Sequence, residues 1–201
     1  MRAGPASTVE RLLDAALATF DELGYSATPV PAIAERAGVA VGSLYRHFPS
    51  KEALANELYR REKQRLAAIL FGDVDAEAPA VEVFDTVWDR LTDLAVERPE
   101  ALCFLELHHH GAYLDASSRQ VAAAIDESIA DLLRRWQSRG EIRPGEPLLL
   151  HVQVFGGFVA VLRQLRQRHG TITREIDTAT RAPAWALLRS TDHTAPDGGR
   201  P

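Results

Sequence analysis

The sequence predicts an all-α protein in which three short N-terminal helices are joined, through one long helix, to a larger helical C-terminal domain. Apolar residues recur at the i, i+3, i+4 spacing of an amphipathic helix through most of the 201 residues. No stretch is rich in alternating β-branched residues, and glycine and proline are sparse inside the long periodic runs. This spacing predicts about nine helices.

The first helix is expected to follow a loose arm of residues 1–6 and to end at Gly24. Ser7 or Thr8 can cap its N-terminus, and glycine suits the left-handed position after a last turn. The residues of its inward face share the helical spacing and are Leu12, Leu13, Ala16, Leu17 and Phe20.

Two short helices separated by a tight turn come next. Thr28 is expected to cap the first of them, with Pro29 at the first helical position, where its missing N–H is no loss. This helix stops at Gly38, and Gly42 and Ser43 open the second four residues later. The order helix, tight turn, helix with a supporting first helix is that of a helix-turn-helix.

Glycines, prolines and polar segments divide the rest of the chain into six longer helices. Ser50 can cap the long connecting helix, and Asp115 or Ser117 can cap a later one. The six are expected at about 51–71, 78–97, 99–111, 116–140, 147–169 and 172–190. We therefore expect one domain at 1–51, a second at 52–190 and a disordered polar tail at 191–201.

The composition fits a soluble globular protein, with 46% hydrophobic and 25% charged residues. The N-terminus turns polar at once, so no signal peptide is expected. The most apolar run, 147–162, is interrupted by polar residues and a Gly-Gly pair and falls short of the roughly 18 apolar residues of a membrane span. A single cysteine, Cys103, excludes an intramolecular disulfide and fits a reducing cytoplasm.

The net charge of −5 is unevenly distributed along the chain. Residues 1–72 sum to +1 and residues 73–201 to −6. The near-neutral N-terminal part can carry a basic surface while the C-terminal part carries the acidic residues. The overall acidity therefore does not exclude a nucleic-acid partner.

The stretch Gly38–Lys51, GVAVGSLYRHFPSK, carries hydroxyl, aromatic and cationic groups on a helix too short to bury much. Together with Phe20, Gly24, Thr28, IAERAGV at 33–39 and SKEAL at 50–54, it resembles the DNA-binding domain of the TetR/AcrR family of transcriptional regulators. The resemblance covers about Val9 to Leu58. It implies a homodimeric repressor that binds a palindromic operator in double-stranded DNA and is released by a small-molecule effector, without a cofactor.

A helix-turn-helix places the N-terminal end of its second helix in the major groove. The positions expected to face DNA there are Val41, Gly42, Ser43, Arg46 and His47. Arg46 is the best base reader, because its guanidinium can bridge guanine O6 and N7, whereas Ser43 discriminates less and Val41 can touch a thymine methyl group.

Four further contacts are expected to be with phosphates. Lys51 lies in the first turn of the next helix, where its ammonium and the backbone N–H groups would face a phosphate, and Thr28 has the same place one helix earlier. The family resemblance implies phosphate contacts for Tyr45 and His47, although Tyr45 could instead be a half-buried packing residue and His47 could cover the turn. Val41 and Pro29 depart from the polar residues of many relatives, which implies fewer polar contacts.

The helices near 147–169 and 172–190 are expected to form a four-helix dimer interface, as the resemblance implies. The first is apolar on nearly every side, so part of its surface is expected to pack against a second subunit. The alternative is that both helices lie in the internal core of one subunit. Gly156 and Gly157 would let a partner backbone approach closely. The last helix adds Ile176, Trp185, Leu187 and Leu188.

An apolar pocket for a hydrophobic or aromatic ligand is implied in the C-terminal domain. Its expected lining is aromatic, with one histidine as a possible polar anchor, and comprises Phe71, Phe84, Trp88, Phe104, His108, Phe155 and Phe158. Each ring taken singly is also an ordinary core residue.

The tract His108–His110 is unusual. On a helix these residues would point about 100° apart, so they could not chelate one metal together. For these histidines a surface or core role is ranked first, a polar anchor in the ligand pocket second and a metal site third. Cys103 is expected to be a buried apolar residue.

Two other functions remain open at this point. One is a helical enzyme or metal-binding protein that uses the histidine tract, but HExxH, phosphate-loop and GxSxG motifs are absent and residues 38–51 would stay unexplained. The other is a DNA-binding dimer without a ligand.

Overall fold

The computed structural model describes residues 7–108, 110–168 and 170–190, and these form nine α-helices and one short 3₁₀ turn. The helices are α1 (Thr8–Leu23), α2 (Val30–Arg36), α3 (Val41–His47), α4 (Lys51–Phe71), α5 (Ala80–Glu97), α6 (Pro99–Leu107), α7 (Ala116–Ser138), α8 (Pro147–Gln167) and α9 (Arg174–Leu188). The described part contains no strand beyond an isolated bridge between Ile142 and Arg189. The all-α prediction is confirmed, whereas the predicted arm, the predicted tail and His109 lie outside the described residues.

The chain divides into two compact units. The first holds the residues up to Gly72 together with Leu94–Ala124, and the second holds Asp73–Asp93 and the residues from Ile125 onward. The division falls inside α5 and α7 rather than at the predicted border after residue 51, because α1 packs on both α4 and α6.

Local signals set most helix ends in the first unit. Ser7 accepts a hydrogen bond from the N–H of Glu10 at 3.1 Å, and Ser50 accepts one from Ala53 at 3.1 Å, so both caps lie where the sequence predicts. In the tight turn, Gly38 adopts a φ of 66°, which a side chain disfavours, and the next N–H donates back to Ala34. The chain thereby leaves α2 and enters α3.

One predicted cap is wrong. Thr28 does not cap α2, because its hydroxyl donates to the carbonyls of Gly24 at 2.7 Å and Thr19 at 3.3 Å. Pro29 is the N-cap residue instead, and Pro31 lies in the first turn. The start of α2 therefore presents few backbone donors, since both prolines lack an N–H.

α6 is shorter than the sequence predicts, which corrects the expectation that it runs to Gly111, and His110 begins a separate 3₁₀ turn. The helix ends at Leu107, and His108 is extended with φ −84° and ψ 148°. His110 folds back, and its Nε2 donates to the carbonyl of Phe104 at 2.6 Å. A side chain thus replaces the backbone donor that another helical turn would have supplied.

A charged cluster lies inside the first unit and is centred on Glu62, whose side chain is 1% exposed. Arg61 Nε donates to Glu62 Oε1 at 2.9 Å, and Arg98 Nη2 donates to Oε2 at 3.1 Å. Arg61 Nη2 lies 2.8 Å from the same Oε1, at an angle suited to an ion pair and not to a hydrogen bond. Arg61 also pairs with Glu10 and Asp14, which ties α4 to α1.

In the second unit, α8 packs on α9, and aromatic side chains fill the core. Trp88 and Phe158 are buried with their rings 5.7 Å apart, and the Trp88 indole N–H donates to Asp177 at 2.9 Å. The α8 helix is long and apolar enough to cross a membrane, with a mean hydropathy of 1.5 over 18 residues, of which 17% are buried in this chain. A helix that packs against a second protein chain has the same composition, so this single helix does not identify a membrane protein.

Candidate nucleic-acid interface

The face of α3 that points away from the core carries most of the predicted DNA-contacting residues. Leu44 and Phe48 point inward and are buried. The outward set consists of Val41, Gly42, Tyr45, Arg46 and His47, which are exposed, and Ser43, which is half-buried. Tyr45 is 49% exposed, which fits both a phosphate contact and the half-buried packing role.

Arg46 differs from the other cations of the first three helices and their flanks. Arg36 pairs with Glu22 at 2.7 Å, and Arg11 reaches the Thr8 hydroxyl at 3.5 Å. Among the Lys and Arg side chains described between residues 7 and 51, Arg46 alone makes no hydrogen bond or ion pair within the described chain. Its guanidinium donors are therefore available to another molecule.

Lys51 and Thr28 face the protein interior more than the sequence suggests. Lys51 Nζ donates to the carbonyl of Thr28 at 2.7 Å and to that of Ser26 at 3.3 Å, and it lies 4.6 Å from the centre of the Tyr25 ring. Thr28 is only 2% exposed. The two residues thus fix the turn from α1 to α2, whether or not they also touch a partner.

The electrostatics of this turn follow from partial burial. Burial lowers the pKa of Lys51, and the nearby Glu52 carboxylate opposes that shift. Burial, assisted by Glu52, raises the pKa of Tyr25 to about 12, so the phenol stays protonated and donates to Glu52 Oε1 at 3.3 Å. The turn therefore holds a neutral phenol between a cation and a carboxylate.

A second exposed surface lies on α8 and α9. Its apolar or small residues are Leu149, Val152, Gly156, Gly157 and Ala160 on α8 with Ala179, Ala182, Pro183, Ala186 and Leu187 on α9, and the polar Gln153 is exposed among them. Of the four residues predicted for α9, Leu187 is exposed, whereas Ile176 and Trp185 are half-buried and Leu188 is buried. We call the exposed set the α8–α9 face.

The predicted ligand-lining residues fall into two groups. Four of them form a chain of ring contacts in the second unit, from Phe84 through Trp88 and Phe158 to Phe155, with centroid distances of 5.4, 5.7 and 6.5 Å. The other three, Phe71, Phe104 and His108, belong to the first unit, where Phe104 is fully buried.

Two cavities are described, and neither is lined by a predicted pocket residue. The smaller, of about 10 Å³, lies in the first unit beside Glu62 and Arg98 and has room for about one water. The larger is an open groove of about 450 Å³ in the second unit, lined by Val81, Arg139 and Trp185 among others. Trp185 also contacts Phe84, with ring centres 5.1 Å apart.

The histidines show no metal-binding geometry where they are described. No group of three His, Cys, Asp or Glu side chains suited to a metal was found among the described residues. His110 is buried, and burial lowers its pKa, so the ring is held neutral with Nε2–H on the Phe104 carbonyl. Cys103 is buried, as expected.

Comparisons with known proteins give a consistent result. A family model described as "Bacterial regulatory proteins, tetR family" matches residues 12–58, and one described as "Tetracyclin repressor-like, C-terminal domain" matches residues 59–190. The HTH-type transcriptional repressor KstR of Mycolicibacterium smegmatis is 51% identical over 59 residues, which are 29% of each chain. KstR of Mycobacterium tuberculosis is 30% identical over 66% of this chain and 59% of its own length.

A similarity in fold extends over nearly the whole chain. The crystal structure of a TetR family transcription regulator from Marinobacter aquaeolei VT8 superposes with a TM-score of 0.79, at 20% identity, and covers 91% of this chain and 96% of that one. The two family models together span residues 12–190. The chain belongs to the TetR family of bacterial regulatory proteins, whose members are transcriptional regulators and not enzymes.

Proposed function

We propose that this regulator is a homodimeric repressor that binds a palindromic operator and leaves it when a small, largely hydrophobic ligand binds. The observation that carries the proposal is the outward face of α3, where the unpaired guanidinium of Arg46 stands beside Ser43 and His47. An unpaired arginine on a recognition helix is suited to a bidentate contact with guanine. A cytoplasmic location goes with this function.

Gly42 supports close docking of α3 in the groove. A Cβ atom added at this residue would meet nothing within 4 Å in the chain itself. Glycine costs about 1 kcal/mol relative to alanine inside a helix, and nothing in the free protein requires it here. Close approach of the α3 backbone to DNA would account for it.

The α8–α9 face supports the homodimer. Val152 and Leu149 are 60% and 56% exposed on a helix that carries few charges, and a Cβ atom added at Gly156 or Gly157 would meet nothing within 4 Å. An apolar face with small residues at its centre fits a second copy of itself about a two-fold axis. Two recognition helices would then read half-sites one turn of DNA apart.

Selection of bound DNA from a random pool tests the proposal. We expect a palindrome with two half-sites about 10 base pairs apart between their centres. A pool that yields no enriched sequence would contradict sequence-specific binding. Repeating the selection with hydrophobic ligands that raise the melting temperature separates a ligand-released repressor from a regulator without a ligand.

Arg46→Ala is expected to weaken binding to the selected operator by about 1–3 kcal/mol per half-site and to relax preference at one base position in each. Arg46→Lys is the matched control, because it keeps the charge but loses the bidentate geometry. Fluorescence anisotropy with operators changed at single positions measures both effects. An unchanged base preference in Arg46→Ala would remove this residue from base reading.

Lys51→Ala is expected to weaken operator binding while leaving its salt dependence equal to that of the parent. The ammonium donates to the carbonyls of Thr28 and Ser26, so we expect its loss to loosen a turn without releasing a counterion. A lost phosphate contact would instead reduce the slope of log K against log salt by about 0.9 per subunit. Titrations at several salt concentrations, with Arg46→Ala alongside, distinguish the two roles.

A further inference from the structure

We propose that Tyr113 is a positioning residue for DNA binding: its ring, held by His110, fixes Tyr25 and thereby the turn that leads into the helix-turn-helix. The inference rests on the proposed DNA-binding function and adds a role for part of the histidine tract. Tyr113 and Tyr25 stack with ring centres 4.1 Å apart and planes 28° from parallel. All residues involved belong to the first unit.

The orientation of the Tyr113 ring is fixed by a hydrogen bond between its hydroxyl and His110. The carbonyl of Phe104 can only accept, so His110 Nε2 carries the proton and donates to it at 2.6 Å. The neutral ring must then accept at Nδ1, and the Tyr113 hydroxyl donates there at 2.5 Å. Burial raises the pKa of Tyr113, which keeps that donor protonated.

The stack ends at the turn between α1 and α2. Tyr25 has Tyr113 on one side and the Lys51 ammonium 4.6 Å from its ring centre. The same ammonium donates to the carbonyl of Thr28, directly before α2. Tyr25 also accepts at its backbone carbonyl from the N–H of Thr28 at 3.3 Å. A change in the ring of Tyr113 would therefore move Tyr25. Tyr25 is connected to the start of α2 through the Lys51 ammonium and through its own backbone hydrogen bond with Thr28.

The backbone of Tyr113 is anchored separately from its ring. Asn56 Nδ2 donates to the Tyr113 carbonyl at 2.8 Å, and Asn56 Oδ1 accepts from the N–H of Asp115 at 2.9 Å. A side-chain substitution at Tyr113 leaves this attachment to α4 intact. The variant protein is therefore expected to fold, with the turn as the part that loosens.

Two variants and one control separate positioning from general stability. Tyr113→Leu removes the stack and the hydroxyl, whereas Tyr113→Phe keeps the stack. Ile69→Ala is the control, since it shortens a partly exposed apolar side chain in the same unit near the other end of α4. Hydrogen exchange of the free proteins and affinity for the DNA selected by the parent are measured for each.

We expect Tyr113→Leu to speed exchange at the amides of Thr28 and Ala32 by about tenfold, with Leu17 and Leu58 unchanged, and to lower operator affinity by about tenfold. Tyr113→Phe keeps the stack but loses the hydrogen bond to His110, so it should fall between the parent and Tyr113→Leu in both measurements. The control should stay within about twofold of the parent. The inference would be overturned if Tyr113→Leu kept the parental exchange rate at Thr28 or the full operator affinity. It would also be overturned if exchange in Tyr113→Leu rose throughout α1 and α4, or if Tyr113→Phe lost as much as Tyr113→Leu. A parent that selects no DNA would instead contradict the proposed function, and the exchange data would still decide the role of Tyr113.

Discussion

Val152→Asp is expected to dissociate the homodimer and to lower affinity for the palindromic operator by at least about 100-fold. A dimer that carries two recognition helices binds DNA about 10²–10⁴ times more tightly than one recognition helix alone, without any new kind of contact. This gain is lost in a monomer. Val152 is 60% exposed on α8 and belongs to the α8–α9 face. In a dimer formed through this face, a carboxylate there would be buried in an apolar interface.

The chain offers a matched control for this variant. Val96 is 55% exposed on α5, outside the α8–α9 face, so Val96→Asp makes the same chemical change at similar exposure. Light scattering coupled to gel filtration gives the mass of each variant, and anisotropy gives its operator affinity. A dimeric Val152→Asp protein with parental affinity would place the subunit interface elsewhere.

Glu62→Ala is expected to lower the free energy of unfolding by about 3–5 kcal/mol, the range for breaking a buried ion pair by removing one partner. The carboxylate is 1% exposed and faces Arg61, Arg98 and, at 3.6 Å, Arg65. Without it Arg61 keeps only Glu10 and Asp14 as acidic partners, and Arg98 loses the acceptor of its hydrogen bond. Because the cluster joins α4 to α1 and to the start of α6, the whole first unit should be affected.

An ion pair on the same helix provides the comparison. Glu57 pairs with Arg60 at 2.6 Å, but its side chain is 45% exposed. Solvent screening limits such a pair to about 0–1 kcal/mol, so Glu57→Ala should be nearly neutral. Urea denaturation at one fixed subunit concentration measures both variants. Equal shifts in the two would show that burial does not set the contribution of Glu62.

Features decided by neighbouring residues could be predicted from the sequence. Ser7 and Ser50 each accept a hydrogen bond from an N–H three residues ahead, and both lie where hydroxyl residues precede apolar periodicity. The inward and outward faces of α3 follow from the same spacing. Membership of the TetR family followed from motifs that are themselves local.

Features that depend on contacts between residues far apart in the sequence could not be predicted. Lys51 is bonded to Thr28 across 23 positions, and Tyr25 stacks on a residue 88 positions away, so no local pattern showed that either was engaged. The end of α6 was missed because an imidazole replaces a backbone donor, which helical periodicity does not register. The buried Glu62 sits in a run, RREKQR, that reads as solvated surface.

The isolation of Arg46 has a consequence for how such a protein finds its site. Sequence-independent attraction to DNA grows with the number of cations that can neutralise phosphates, and it is what holds a protein on the duplex while it slides. The described helix-turn-helix offers few unpaired cations, and the whole chain carries a net charge of −5. Encounters with unrelated DNA should therefore be brief, and the search should proceed mainly by repeated diffusion through solution, with little scanning along the duplex.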